Sequence, residues 1–152
     1  MKKVTFFLLV FWLILFQFSG CRENEKTLQS LELEMGNVVL VTVVMEDSGS
    51  IKSMALSVKY NQEDYELLDG QWLNHQGVIA DFNLENQDAA IAFKDETNYY
   101  GEIFEFRLRA KHNLVASGDD ISIVPVLQNE GEMISCNGIT LAMQKVSNNL
   151  AL

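Results

Sequence analysis

GEIFEFRLRAK, residues 101–111, is the stretch that decides the fold class. Apolar residues occupy its even-numbered positions from Phe104 to Ala110, whereas the odd-numbered positions from Glu105 to Lys111 are charged. Side chains of a β-strand point alternately to opposite faces of the sheet, so this pattern predicts a half-buried strand with one face in a core and the other in water.

Two neighbouring stretches support the same interpretation. In IKSMALSVKY, residues 51–60, the larger apolar side chains from Met54 to Tyr60 alternate with small or polar ones from Ser53 to Lys59. In NVVLVTVVME, residues 37–46, both faces are apolar, which suits a more central strand. Both stretches are rich in residues that favour strands over helices.

Shorter apolar segments continue the pattern along the chain. They are LQSLELE (28–34), YELL (65–68), GVIADFN (77–83), DAAIAFK (88–94), ISIVPVLQ (121–128) and GITLAM (138–143). Turn-forming residues separate the strands at 46–50, 69–70, 98–101, 117–120 and 129–131, and QWLNHQG, residues 71–77, is predicted as a loop. Pro125 lacks an amide donor, so its strand should lie at a sheet edge or contain a bulge. We therefore predict an all-β sandwich of nine strands.

The first 21 residues predict export and a lipid anchor. Lys2 and Lys3 precede an uncharged apolar segment, residues 4–16, that is long enough for a secretion signal but short for a membrane span. The segment ends in FSGC, residues 18–21, which resembles the bacterial lipobox and implies acylation of Cys21 on the outward or periplasmic face of a bacterial membrane. An ordinary signal peptide with an incidental cysteine and an uncleaved anchor are the alternatives.

These features predict a simple organisation. Residues 1–20 form the leader, 21–30 a polar tether of at most about 30 Å, 31–146 the sandwich and 147–152 a short tail. The 152-residue chain has a net charge of −10, which becomes −12 when the leader removes two lysines and no acids. This charge argues against nucleic acid or anionic lipid as a partner, because phosphates need a basic patch. Cys136 then has no intramolecular disulfide partner if Cys21 is acylated.

The order of segments from about residue 28 to 143 resembles the cohesin domain of bacterial scaffolding proteins. The resemblance is carried by SMALSVKYNQEDYELLDG (53–70), IAFKDETNYYGEIFEFRLRAK (91–111) and NGITLAM (137–143). The turn at residues 60–63, YNQE, departs from the family pattern because it lacks the usual Asp and Pro. The resemblance implies a nine-stranded jelly roll that binds a dockerin, a small calcium-loaded helical module, across one flat sheet face.

By this resemblance, six residues carry the partner-binding positions. They are Ser53, Ala55, Ser57, Ala92, Asp95 and Met133. A strand face of Ser, Ala and Ser is small enough for a helix to lie on it, and methionine is an adaptable apolar contact. The simpler interpretation is that these are half-exposed sheet residues without a partner.

The sequence lacks the motifs of common enzymes and metal proteins, so we expect neither an enzyme nor a cofactor. His75 and His112 have no Cys or His at metal-ligand spacing. Acidic pairs occur at 46–47, 95–96 and 119–120, all at expected strand ends, and solvated loop charge accounts for them. If the domain binds calcium, Asp119 and Asp120 are the expected ligands.

Carbohydrate binding is the second functional hypothesis. Trp72, Tyr99 and Tyr100 would supply the aromatic platform that stacks on sugar rings, although partial burial of Trp72 and of one tyrosine is expected. A third hypothesis is an accessory lipoprotein within an envelope complex. Exposure of the three aromatic side chains on one surface would favour sugar, whereas a flat apolar face around Ser53, Ala55 and Met133 would favour a protein partner.

Overall fold

A computed structural model describes residues 30–73, 79–134 and 137–146. These residues form eleven strands: β1 Leu31–Leu33, β2 Val38–Asp47, β3 Ser50–Tyr60, β4 Tyr65–Trp72, β5 Ile79–Asn83, β6 Asp88–Asn98, β7 Gly101–Ala110, β8 Leu114–Ala116, β9 Ile121–Asn129, β10 Glu132–Ile134 and β11 Asn137–Val146. The described part contains no helix that could serve as a membrane span. The predicted all-β class is confirmed.

The strands form two main antiparallel sheets that pack as a sandwich. One sheet has five strands in the order β10-β9-β3-β6-β5, and the other has four in the order β11-β2-β7-β4. The short strands β1 and β8 pair with each other in a separate ribbon. Strand β2 lies between β11 and β7, which confirms the central position predicted from its apolar faces.

Burial of alternate side chains builds the core between the sheets. Phe104, Phe106, Leu108 and Ala110 of β7 are buried, as their spacing predicts. Ile103 is buried as well, because the register of β7 against β2 shifts where Val43 pairs with Phe104 and Val44 with Glu102. Such a bulge adds one residue to a strand and re-aims its side chains.

Phe104 is the centre of an aromatic cluster that joins the sheets. Its ring lies 5.2 Å from that of Trp72 in β4 and 5.5 Å from that of Phe82 in β5, measured between centroids. Aromatic rings at this separation add to the energy of their buried area. The cluster therefore connects β4 and β7 of one sheet with β5 of the other.

The predicted turn at residues 69–70 is wrong. Strand β4 continues through Asp69 and Gly70 to Trp72, with a register shift between Leu67 and Asp69. The glycine serves close packing instead of a turn, because a Cβ atom at Gly70 would lie 2.7 Å from Cζ of Phe104 and 3.1 Å from Cε1 of Phe82. The predicted loop at 71–77 is also partly wrong, since its first two residues belong to β4.

The described chain has two more strands than predicted. β8 and β10 have three residues each, which is too short for a period-two pattern to be recognised. Pro125 lies in β9, and the described residues of β10 pair with residues 127–129 of that strand, so Pro125 lies outside this pairing. The leader, Cys21, the tether up to residue 29, His75, Cys136 and the tail lie outside the described residues.

Replacing Gly70 with alanine should destabilise the sandwich, because the new methyl group collides with Phe104 and Phe82. We expect the free energy of unfolding in urea to fall by about 1–3 kcal/mol. Gly118→Ala is the matched control, since nothing lies within 4 Å of a Cβ atom there, and it should change stability by less than about 0.5 kcal/mol. Equal losses for the two variants would contradict this packing.

Candidate protein-binding face

Strand register brings five of the six predicted partner-binding residues together. Ser53 of β3 pairs with Ala92 of β6 on one side and with Gln128 of β9 on the other. Gln128 pairs in turn with Met133 of β10, and Ala92 pairs with Ile79 of β5. The resulting row crosses the five-stranded sheet and contains three predicted residues, Ser53, Ala92 and Met133, while the predicted Ala55 and Ser57 lie in the two adjacent rows.

The row faces away from the core because of the alternation in β3. Met54, Leu56 and Val58 are buried between the sheets, so Ser53, Ala55 and Ser57 point to the opposite side. We call this side the outer face: its residues are Ser53, Ala55, Ser57, Ile79, Asp81, Asn83, Asp88, Ala90, Ala92, Val124, Val126, Gln128 and Met133.

Two further rows complete the outer face. In the first, Ala55 lies between Val126 of β9 and Ala90 of β6, and Ala90 pairs with Asp81 of β5. In the second, Ser57 lies between Val124 and Asp88, and Ser57 donates a hydrogen bond to the Asp88 carboxylate. Asn83 of β5 pairs with Asp88 at the end of this row.

The outer face carries exposed aliphatic side chains that the sequence analysis did not select. Relative exposure is 64% for Ile79, 50% for Val124, 37% for Val126 and 79% for Met133. Only Met133 was among the predicted residues. The valines and buried Leu127 and Ile121 point to opposite faces of β9. Their place beside Ala55 and Ser57 depends on which strands are neighbours, and local periodicity does not reveal this.

Asp95 lies apart from the three rows. β6 extends to Asn98, so Asp95 is inside the strand and not at its end. The register of β6 against β3 shifts there, since Ile51 pairs with Thr97 and Ser53 with Ala92. The neighbouring Glu96 accepts a hydrogen bond from Ser50 at 2.6 Å, which lowers the pKa of its carboxyl group.

The opposite side of the sandwich has a different character. On the exposed side of the four-stranded sheet, the Arg107 guanidinium donates to Asp69, with Nε 2.8 Å from Oδ1, and this hydrogen bond raises the pKa of the arginine. Arg109 pairs with Glu66 at 3.1 Å. A groove of about 580 Å³ on this side is lined in part by Asp69 and Arg107. The charges of Asp69 and Arg107 in this groove therefore neutralise each other within the sheet.

The three aromatic residues of the carbohydrate hypothesis do not form one platform. Trp72 and Tyr99 are buried, and only Tyr100 is exposed, at 68%. The Trp72 indole donates to the backbone oxygen of Asp81 at 3.1 Å, and the Tyr99 hydroxyl donates to that of Leu73. Burial raises the pKa of Tyr99 to about 12. Partial burial of this set was expected, and two of its members are core residues.

The acidic and histidine candidates have structural contacts in the described residues. Asp120 accepts a hydrogen bond from the Ser117 amide at 3.0 Å, and the Asp119 amide donates to Oγ of Ser117 at 3.2 Å, so both belong to one turn. His112 is exposed and contacts Asp64, with Nε2 2.8 Å from Oδ1. Its pKa is raised by the Asn113 carbonyl and then by Asp64. Within residues 30–73, 79–134 and 137–146, no three metal-ligating side chains form a cluster.

Comparisons with protein-family models, with curated proteins and with solved structures found no match to this chain. The assignment of a function therefore rests on the residues and geometry of the outer face.

Trp72 provides a direct optical test of its burial. The chain has two tryptophans, and Trp12 lies in the predicted leader, so the processed protein reports on Trp72 alone. We expect emission at shorter wavelength than free tryptophan, weak quenching by acrylamide and no change on addition of oligosaccharides. Emission like that of free tryptophan, together with a response to sugar, would contradict the burial and support the aromatic platform.

Proposed function

We propose that this chain is an exported lipoprotein whose cohesin-like, jelly-roll β-sandwich binds a protein partner across the outer face. The observation that carries the proposal is the contrast between the two sides of the sandwich. The outer face exposes Val124, Val126, Ile79 and Met133 around small residues, whereas the opposite side pairs its arginines with acids. Exposed apolar patches of this kind mark interaction sites on soluble domains.

The central part of the outer face suits close approach by a partner. Ser53, Ala55, Ala90 and Ala92 have short side chains, and they occupy the adjacent strands β3 and β6. A partner can therefore approach the sheet without displacing long side chains, whose ordering would oppose binding. A helical module of the dockerin type, which the cohesin resemblance implies, is the partner class we propose.

Attachment to a membrane completes the proposal. The lipobox-like FSGC at residues 18–21 places an acylated Cys21 before a tether of polar residues. A tether of nine residues, 22–30, spans at most about 30 Å, so the domain stays near the bilayer surface. The protein then acts as a membrane-bound receptor for a partner that approaches that surface.

Cys21→Ser tests the anchor. The thiol carries a diacylglyceryl group in thioether linkage, so the variant should lose incorporation of radiolabelled palmitate and should no longer partition into the detergent phase of a Triton X-114 extract. The control is Cys136→Ser, which should retain both properties. Unchanged labelling of the Cys21→Ser chain would contradict acylation at this residue.

Ala55→Arg tests the binding face. The immobilised full chain, held in detergent micelles, is exposed to the host's extracellular and envelope proteins with calcium and then with chelator. We expect it to retain a protein with a calcium-loaded helical module, which chelator releases. Arginine at position 55 should weaken this binding by about 2 kcal/mol or more, because it places an unpaired charge within the interface.

Ala142→Arg is the matched control. Ala142 is exposed in β11 and pairs with Thr42 on the four-stranded sheet, so the same substitution lies on the opposite side of the sandwich. Binding should be unchanged in this variant, and thermal unfolding should show that both variants are folded. Loss of binding in both variants, or in neither, would contradict the proposed face.

A further inference from the structure

The chemistry of the partner element follows from the distribution of charge on the outer face. We infer that the partner presents an amphipathic helix that lies along β3, with aliphatic residues over Val124 and Val126 and with Lys or Arg over Asp81 and Asp88. This inference rests on the proposed function. It adds the shape, the charge and the orientation of the element that binds.

The width of the outer face fits one helix. Short side chains occupy the middle strands β3 and β6, and longer ones stand on β9 and β5 at either side. Because neighbouring strands lie about 4.8 Å apart, β9 and β5 are separated by roughly 14 Å. A helix with its side chains is about 10 Å wide. A single helix therefore fits between these flanking strands, parallel to β3.

The flank on β9 is aliphatic and resists strand addition. Val124 and Val126 are exposed there, and Met133 of β10 extends the apolar surface. Pro125 lies between the two valines, outside the residues of β9 that pair with the described part of β10, and has no amide to donate. A proline at a sheet edge hinders pairing with an added strand. The partner is consequently expected to cover the face and not to extend the sheet.

The flank on β5 and β6 carries two acids that make hydrogen bonds but no ion pair within the described residues. Asp81 pairs in register with Ala90, so Asp88 is its diagonal neighbour two residues along β6. Asp81 accepts a hydrogen bond from the amide of Phe82, and Asp88 accepts one from Ser57. Lys59, one row further along β3, makes an ion pair with neither carboxylate.

Among the acids of the described chain that make no ion pair, Asp81 and Asp88 are distinguished by their place on the outer face. Asp69 and Glu66 pair with arginines on the four-stranded sheet, and Asp64 contacts His112. Asp81 and Asp88 stand beside an exposed apolar surface with no cationic partner in the described part of the chain. A basic flank on the incoming helix would neutralise them, and the net charge of −10 favours its approach.

Two synthetic helical peptides test the inference. Both carry the same Leu and Ala residues on one face and a hydrocarbon staple on the solvent side, and they differ only in having Lys or Glu along one flank. Binding to the full chain in detergent micelles is measured by fluorescence anisotropy at about 0.1 M salt and again at about 1 M. We expect the Lys peptide to bind about tenfold or more tightly than the Glu peptide, with a smaller difference at high salt.

Charge reversal locates the effect. The double variant Asp81→Lys, Asp88→Lys should weaken binding of the Lys peptide about tenfold and should strengthen binding of the Glu peptide. The control Glu63→Lys, Glu102→Lys changes the net charge equally, with one residue in the β3–β4 turn and the other on the four-stranded sheet, and should leave the ratio of the two affinities unchanged.

Equal affinities for the two peptides, no binding of either peptide, or an unchanged ratio in the Asp81→Lys, Asp88→Lys variant would overturn the inference. The proposed function has a separate readout, since Ala55→Arg should weaken binding of the captured protein to the outer face. Loss of the captured protein in Ala55→Arg with no effect of charge reversal would support the face and reject the basic helix.

Discussion

The inward burial of Met54, Leu56 and Val58 is the constraint on which the outer face depends. A strand that buries every second residue must expose the residues between them, and in β3 those are Ser53, Ala55 and Ser57. Because β3 pairs with both β6 and β9, its register determines which side chains stand beside these three. A shift of one residue would send the serines and the alanine into the core and the large apolar residues into water. The core and the outer face are therefore specified together.

The two sides of the sandwich use their charges differently. On the four-stranded sheet, Arg107 and Arg109 neutralise acids of the adjacent strand. Exposed ion pairs of this kind contribute little to stability, but each one neutralises a charge that a ligand could otherwise contact. On the five-stranded sheet, Asp81 and Asp88 border an exposed aliphatic surface without such a partner in the described residues. We propose recognition through the outer face on the basis of this asymmetry.

Much of the fold, but only part of the candidate site, could be predicted from the sequence. Period-two alternation predicts β3 and β7 because burial of one face is a local property of a strand. The three-residue strands β8 and β10 lack enough residues to show it. Gly70 was misinterpreted because glycine serves both turns and close contacts, and only the position of Phe104 distinguishes the two. Val124, Val126 and Asp81 join the outer face through pairing between distant segments, which periodicity does not reveal.

The most direct test of the central claim is photo-crosslinking in the host cell. A benzophenone amino acid is placed at position 55 on the outer face or, for comparison, at position 142 on the four-stranded sheet. Both positions are exposed alanines in strands, so the probe is presented equally. The account predicts a light-dependent covalent adduct with one discrete protein from position 55 and none from position 142. An adduct from position 142 alone, or no protein adduct from position 55, would contradict recognition through the outer face.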